Sequence, residues 1–186
     1  MRLIWLKGDY AGRHERQQAA SKAGCDFVIC FHFNSFNDPR TNGAEVYHNN
    51  KGNAKTIAEH LLTAITNVLK NRARGVKDAQ GSRAGFIRHY HCPAVLIEPC
   101  FVSNPDEAAK VHDVATLRAL GEAIANVVWE WFPQKAVIGL DIGHKFKRSN
   151  PDDRGAKCVL GDWEADHAER LAKVVAASLE KRGEKK

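Results

Sequence analysis

No stretch of this sequence stays apolar for the ~20 residues that a membrane span requires, and its mean hydropathy is −0.43. The apolar run at its start, Leu3-Ile4-Trp5-Leu6, is too short for the core of a signal peptide, and no small-residue cleavage site follows. The chain is therefore expected to be made in the cytoplasm without a signal peptide. Its five cysteines are an odd set with no Cys-x-x-Cys pair, so a disulfide framework is not expected. Cys30 and Cys100 sit in apolar company and read as small hydrophobes. No basic stripe is interleaved with aromatics, which argues against nucleic acid as a partner. The net charge of +6 suits an anionic polymer such as a cell wall, and equally an ordinary soluble surface. Neither an internal repeat nor a domain boundary interrupts the 186 residues, so a single domain is expected, as a monomer.

What is present is an alternation of short apolar runs with helical patterns. Residues 2–7 read as a strand, and Asp9 to Gly24 as a helix closed by its glycine. Cys25 to His32, Gly43 to His48, Pro93 to Glu98 and Ala136 to Ile142 read as further strands. Ile57, Leu61, Ile65, Val68 and Leu69 mark a helix over Asn53 to Arg72; Leu117 to Trp131 marks another, and Ala168 to Leu179 the last. Asn104-Pro105-Asp106-Glu107 is a helix start with a cap and a capping-box glutamate, and Asp162 can cap the final helix. Arg72 to Gly85 reads as a polar loop, and Phe86 to Tyr90 as a short strand. This order predicts an α/β fold: one domain with a twisted, mostly parallel sheet flanked by helices on both faces.

Three of the apolar strands end at residues that carry chemistry: His32, Glu98 and His144. Glu164 falls in the first turn of a helix that follows a strand. In open α/β sheets such positions gather outside the carboxyl ends of the strands. Two imidazoles and a carboxylate are the ligand set of a catalytic zinc, with a fourth position for water, and a second carboxylate beside that water is a general base. Other readings stay open. Each histidine can be structural, Glu98 can pair with an arginine, and Glu164 can simply favour the helix dipole. His89 and His91 share a strand face, and Glu164 with His167 makes a Glu-x-x-His step used in di-metal bundles. Ile138-Gly139-Leu140-Asp141-Ile142-Gly143 is also close to a sugar-kinase phosphate loop, but too little chain follows it for a nucleotide-binding lobe.

At these residues the chain resembles a known family. Asp141-Ile142-Gly143-His144 is similar to an opening Asp-Pro-Gly-His motif, with Ile142 for proline and Lys145 for a common glycine after it. Pro151-Asp152-Asp153-Arg154-Gly155-Ala156 is similar to an Asp-Pro-Gly-Ala loop, followed by Glu164. Phe31-His32-Phe33-Asn34 resembles an Ile-His-Ala-Asn strand end. Gly43-Ala44-Glu45-Val46-Tyr47 and Arg74-Gly75-Val76-Lys77 match two more stretches. Pro93 to Glu98, continued by Phe101-Val102-Ser103-Asn104-Pro105, matches a catalytic-glutamate segment. Together they resemble the zinc-dependent N-acetylmuramoyl-L-alanine amidases of the type 3 family, found among autolysins and phage endolysins.

The resemblance implies zinc on His144, Glu164 and His32, with Glu98 as the catalytic general acid and base. It implies a peptidoglycan hydrolase that cleaves the amide between N-acetylmuramic acid and L-alanine of the stem peptide, acting at the cell wall. A zinc peptidase of other specificity and a non-catalytic wall-binding relative are the alternatives. The family's opening motif comes last here. The expectation is a circular permutation, in which 136–186 corresponds to the usual N-terminal part and 1–134 to the rest, with Lys186 leading naturally into Met1.

Overall fold

Phe27, Ile29 and Phe31 point into one apolar layer, and Val28 and Cys30 into another. All five belong to strand β2 (Phe27–Phe31), which is buried at every position. A strand with period-two side chains can be apolar throughout only if both of its faces are covered. The computed structural model describes residues 1–6, 13–145 and 152–183, and shows how this is done.

Among these residues β2 lies inside a six-stranded sheet with β1 (Arg2–Trp5), β3 (Ala44–His48), β4 (Ala73–Asp78), β5 (Ala94–Glu98) and β6 (Val137–Ile142), in the order β1-β6-β2-β5-β3-β4. Only the β3–β5 pair is antiparallel. One face carries α2 (Ala54–Leu69), α4 (Val114–Trp131) and α5 (Glu164–Gly183), with α3 (Pro105–His112) against α4. The other face is covered more thinly, by α1 (Arg13–Ala23) and a 3-10 segment, Arg83–His89. The fold is a single α/β domain with a mostly parallel sheet, as the alternation of patterns predicts. No helix among the described residues is long and apolar enough to cross a membrane.

Most element boundaries follow the local chemistry. Gly24, at φ +66°, closes α1 in the left-handed conformation that a helix C-terminus uses. Asn104 accepts from the Glu107 N–H and Pro105 fills the first turn of α3, while Asp113 caps α4 by accepting from the Thr116 N–H. Two expectations are corrected. The stretch read as a polar loop over Arg72 to Gly85 contains β4, an edge strand with no fully buried position and with Val76 as its one large apolar residue, so no apolar run marks it. Phe86 to Tyr90 is not a strand but lies in and just after the 3-10 segment. Ala84, Ile87 and Tyr90, three apart, are buried on one side of it. The expected first turn from Asp9 to Gly12, and the Lys186 end, lie outside the described residues.

Candidate metal centre and its surroundings

His32 follows the last residue of β2 and its N–H donates to the Ile97 carbonyl at 3.1 Å, so Glu98, the last residue of β5, lies beside it on the same sheet edge. β6 pairs with β2 on the other side, with Phe31 opposite Ile142, and the chain then turns through Gly143 to His144. His144 holds φ at 54°, a left-handed conformation rarely adopted by residues with a side chain. The turn is anchored from beneath by Arg16 of α1. Its guanidinium pairs with Asp141 and donates to the Ile142 carbonyl at 3.0 Å and to the Lys145 carbonyl at 2.5 Å. Tyr90 donates its hydroxyl to the same Asp141 carboxylate at 2.7 Å. The aspartate of the Asp-Ile-Gly-His motif therefore faces away from the histidine and fixes the strand end that presents it.

The structure brings His32, His144 and Glu164 together. One donor atom from each lies within 4.8 Å of the others, a set that could hold a metal ion. His32 Nδ1 is 2.9 Å from Glu164 Oε1, and His144 Nε2 is 3.4 Å from Glu164 Oε2. The glutamate is buried and further held by the Phe33 N–H at 3.3 Å and the Ala156 N–H at 3.1 Å. Burial alone would raise its pKa; the His32 hydrogen bond, the two imidazoles and the Ala156 N–H outweigh that and keep it below the usual carboxylate range. His144 Nδ1 lies 3.0 Å from Asp153 Oδ1, which also accepts from the Gly155 N–H at 2.9 Å. A carboxylate on the second ring nitrogen leaves Nε2 aimed into the cluster and raises its basicity as a ligand. The backbone is as closely fitted as the side chains. A Cβ on Gly143 would stand 2.6 Å from His32 Nδ1, and one on Gly155 2.8 Å from His144 Cδ2.

Glu98 is set differently. Its Oε2 is buried with no hydrogen-bond partner among the described residues. Burial first, then the negative charges of Glu164 and Glu45, raise its carboxyl well above the usual range. Glu45 is buried too, but its charge is answered: Lys77 and Arg74 pair with Oε2, and Asn34 and Tyr47 donate to Oε1. An unanswered carboxyl oxygen beside an anionic two-imidazole cluster fits a place where a cation and a polar reactant belong.

Sequence reasoning had no role for Asp153, Arg16 or Glu45, although Glu45 and Asp153 fall in stretches that carry the resemblance. His89 lies in the 3-10 segment and His91 just beyond it, outside any strand. The Glu-x-x-His step on α5 is split: Glu164 joins the cluster above, while His167 turns to His112, Cys158 and Asp162. The Asp162 carboxylate, expected as a helix cap, instead takes His112, His167 and Arg170.

The family model for N-acetylmuramoyl-L-alanine amidase matches residues 7–130, two thirds of the sequence. The chain belongs to this amidase family. LytC of Bacillus subtilis (strain 168), an N-acetylmuramoyl-L-alanine amidase, is 29% identical over 113 residues, which cover 59% of this chain and 22% of LytC. This chain thus spans under a quarter of that relative's length. An N-acetylmuramoyl-L-alanine amidase from Clostridium difficile 630 is 26% identical in structure-based alignment, with TM-score 0.58 and 66% of each chain covered. The catalytic domain of CwlV, from Bacillus (Paenibacillus) polymyxa var. colistinus, shares the fold at 23% identity and TM-score 0.57, over 64% of this chain and 65% of its own. Within the family match fall His32 and Glu98; His144 and Glu164 lie beyond its end.

Proposed function

We propose that the protein hydrolyses the amide bond between N-acetylmuramic acid and L-alanine of the peptidoglycan stem peptide, with a zinc ion held by His32, His144 and Glu164 and with Glu98 as general base and acid. The observation that carries this reading is the meeting of two imidazoles and a buried carboxylate within 4.8 Å, on the same sheet edge as Glu98, whose Oε2 has no hydrogen-bond partner among the described residues, in a chain of the amidase family. Three protein ligands with one open position are the donor set of a catalytic rather than a structural zinc. When bound, zinc supplies Lewis-acid chemistry, polarising a carbonyl oxygen and lowering the pKa of water toward ~7.

The protein's own residues account for the rest. Phe33 and Ala156 hold the Glu164 carboxylate by their N–H groups, and Asp153 fixes the ring of His144. Glu98 takes a proton from the attacking water and later delivers it to the nitrogen of L-alanine. The water oxygen bonds to the lactyl carbonyl carbon, the C–N bond breaks, and the products are a carboxylate on the sugar and a free amine on the peptide. The raised affinity of Glu98 for a proton suits both halves of that transfer.

The motif order is that of a circularly permuted amidase: residues 136–186 stand for the part that usually opens the domain, and 1–134 for the part that follows. Support comes from where the similarity ends. An alignment in sequence order can follow only one of two exchanged segments, and the family match stops at 130, before Asp141 to His144 and before Glu164.

The test is digestion of purified peptidoglycan with identification of the new ends. Free L-alanine amino groups on intact glycan chains support the amidase; other cleaved peptide bonds turn the reading into a zinc peptidase, and no cleavage into a wall-binding relative. His144→Ala and His32→Ala should each lower bound zinc by about one equivalent. Glu98→Gln should keep that zinc and lose roughly 10²–10⁴-fold in rate.

A further inference from the structure

One turn along α5 from Glu164, a second group of donors converges. His112 ends α3, His167 lies fully buried in α5, and Cys158 and Asp162 come from the segment that leads into α5. That loop is tied by its own backbone. The Cys158 N–H donates to the Asp162 carbonyl at 2.8 Å and the Gly161 N–H to the Cys158 carbonyl at 3.0 Å, with Gly161 at φ +109°. The folded loop turns the Cys158 sulfur and the Asp162 carboxylate to the same side.

We propose that His112, Cys158, Asp162 and His167 bind a second metal ion, a divalent transition metal of the zinc class, in a closed four-ligand structural site. One donor atom of each lies within 4.8 Å of the others. Asp162 Oδ1 is 3.0 Å from His112 Nε2 and 2.9 Å from His167 Nε2, and Cys158 Sγ is 3.9 Å from His112 Nε2. Tetrahedral zinc with bonds of about 2.0–2.3 Å spaces its donors roughly 3.3–3.8 Å apart, so small adjustments would seat the ion. The composition also matters. Thiolate plus two imidazoles favours zinc-like ions over magnesium or calcium, and four protein ligands leave no open position for chemistry.

Two neighbours bear on the site. The Leu160 N–H points at the Cys158 sulfur at 3.5 Å, a donor that suits a thiolate. Arg170 donates to Asp162 Oδ2 at 2.5 Å and lies 3.0 Å from His167 Nδ1. With Nε2 on a metal, Nδ1 carries the ring proton, so Arg170 gives up His167 and keeps Oδ2, where it orients the carboxylate. Its partly exposed side chain has the freedom to do so.

This site is separate from the candidate active centre. The ring of Phe33 lies 5.5 Å from that of His167, while its N–H reaches Glu164 on the other side. The second ion would pin the end of α3 to the loop whose Ala156 N–H holds Glu164. The proposal does not depend on the hydrolytic reading.

Cobalt(II) loading tests it without reference to activity. Wild-type protein should hold about two equivalents and show the near-ultraviolet charge-transfer band of a thiolate bound to cobalt. Cys158→Ser should lose the band and about one equivalent, whereas His144→Ala should lose about one equivalent and keep the band. His112→Gln, a change at a half-exposed helix end, should also remove about one equivalent and serves where the cysteine variant does not fold. Folded wild-type protein without a thiolate band overturns the proposal, as does a band that persists in Cys158→Ser.

Discussion

Glu45 stands directly opposite Glu98 across the antiparallel β3–β5 pair. Two carboxylates facing each other on one sheet edge are costly unless one is neutralised, and only Glu45 is, by Lys77 and Arg74. Its negative charge still raises Glu98. Glu98 must be ionised to accept a proton, so its titration sets the acid limb of kcat/KM. Glu45→Gln removes one negative charge beside Glu98 and leaves Lys77 and Arg74 less neutralised. Both effects lower the pKa of Glu98, so the limb should move to lower pH. A pH–rate profile on soluble muropeptide checks this; a limb that stays in place or moves upward separates Glu45 from the control of Glu98.

Gly143 packs directly against the His32 ring. A Cβ there would stand 2.6 Å from the His32 Nδ1 and Nε2 positions, well inside van der Waals contact. Gly143→Ala should therefore push the imidazole out of the cluster without deleting any donor. The expected result is weaker zinc binding, read by competition with a chromophoric chelator, together with a loss of activity that added zinc partly restores. Unchanged zinc affinity would mean that the ring has room to rotate away.

Much of this site could be read from the chain because His32, Glu98 and His144 each close an apolar run, and the strand-end rule of parallel sheets places such residues on one edge. Positions fixed by tertiary partners could not be read in that way. Asp162 carries the signature of a helix cap, yet His112 reaches it from the end of α3, and His167 and Arg170 from further along α5. Ala73 to Asp78 looks like a loop because this edge strand has no fully buried position, and its pairing with β3 depends on neighbours distant in sequence. Arg16 gave no signal at all: an arginine in a polar helix is ordinary until Asp141 is found beside it.

That buried pair should matter for stability as well as geometry. Asp141 is 1% exposed and Arg16 is buried beside it. Asp141→Ala would leave the guanidinium without its counter-charge and the Tyr90 hydroxyl without its acceptor. Removing one partner of a buried pair typically costs about 3–5 kcal/mol, so denaturant titration should show a marked fall in the unfolding midpoint. A smaller cost, near that of an exposed pair, would mean that water reaches Arg16.

The arrangement of the strand starts makes the proposed permutation testable. β1 and β6 lie side by side and parallel, with Arg2 opposite Val137 and the Arg2 N–H donating to the Ala136 carbonyl at 2.9 Å. Both therefore begin on the sheet edge remote from the candidate metal centre. The link from α4 into β6 is a short turn closed by the Ala136 N–H on the Pro133 carbonyl, and Phe132 stacks on Phe27 at the start of β2, with ring centroids 4.8 Å apart. α5 begins at Glu164 beside the centre, and its 20 residues run roughly 30 Å from there. Near its far end Arg182 pairs with Asn126 of α4, which brings α5 back toward the same remote edge. Chain breaks in turns between packed elements are the ones a fold tolerates. A protein in the order Ala136 to Lys186 followed by Arg2 to Gln134 should fold with the same zinc affinity and comparable hydrolysis. The four Cα-to-Cα steps from Gly183 to Arg2 reach at most about 14 Å, so a second version with a longer glycine-serine joint separates a strained link from a wrong order. If neither version folds with the wild-type metal affinity, the two segments are not exchanged halves of one amidase domain.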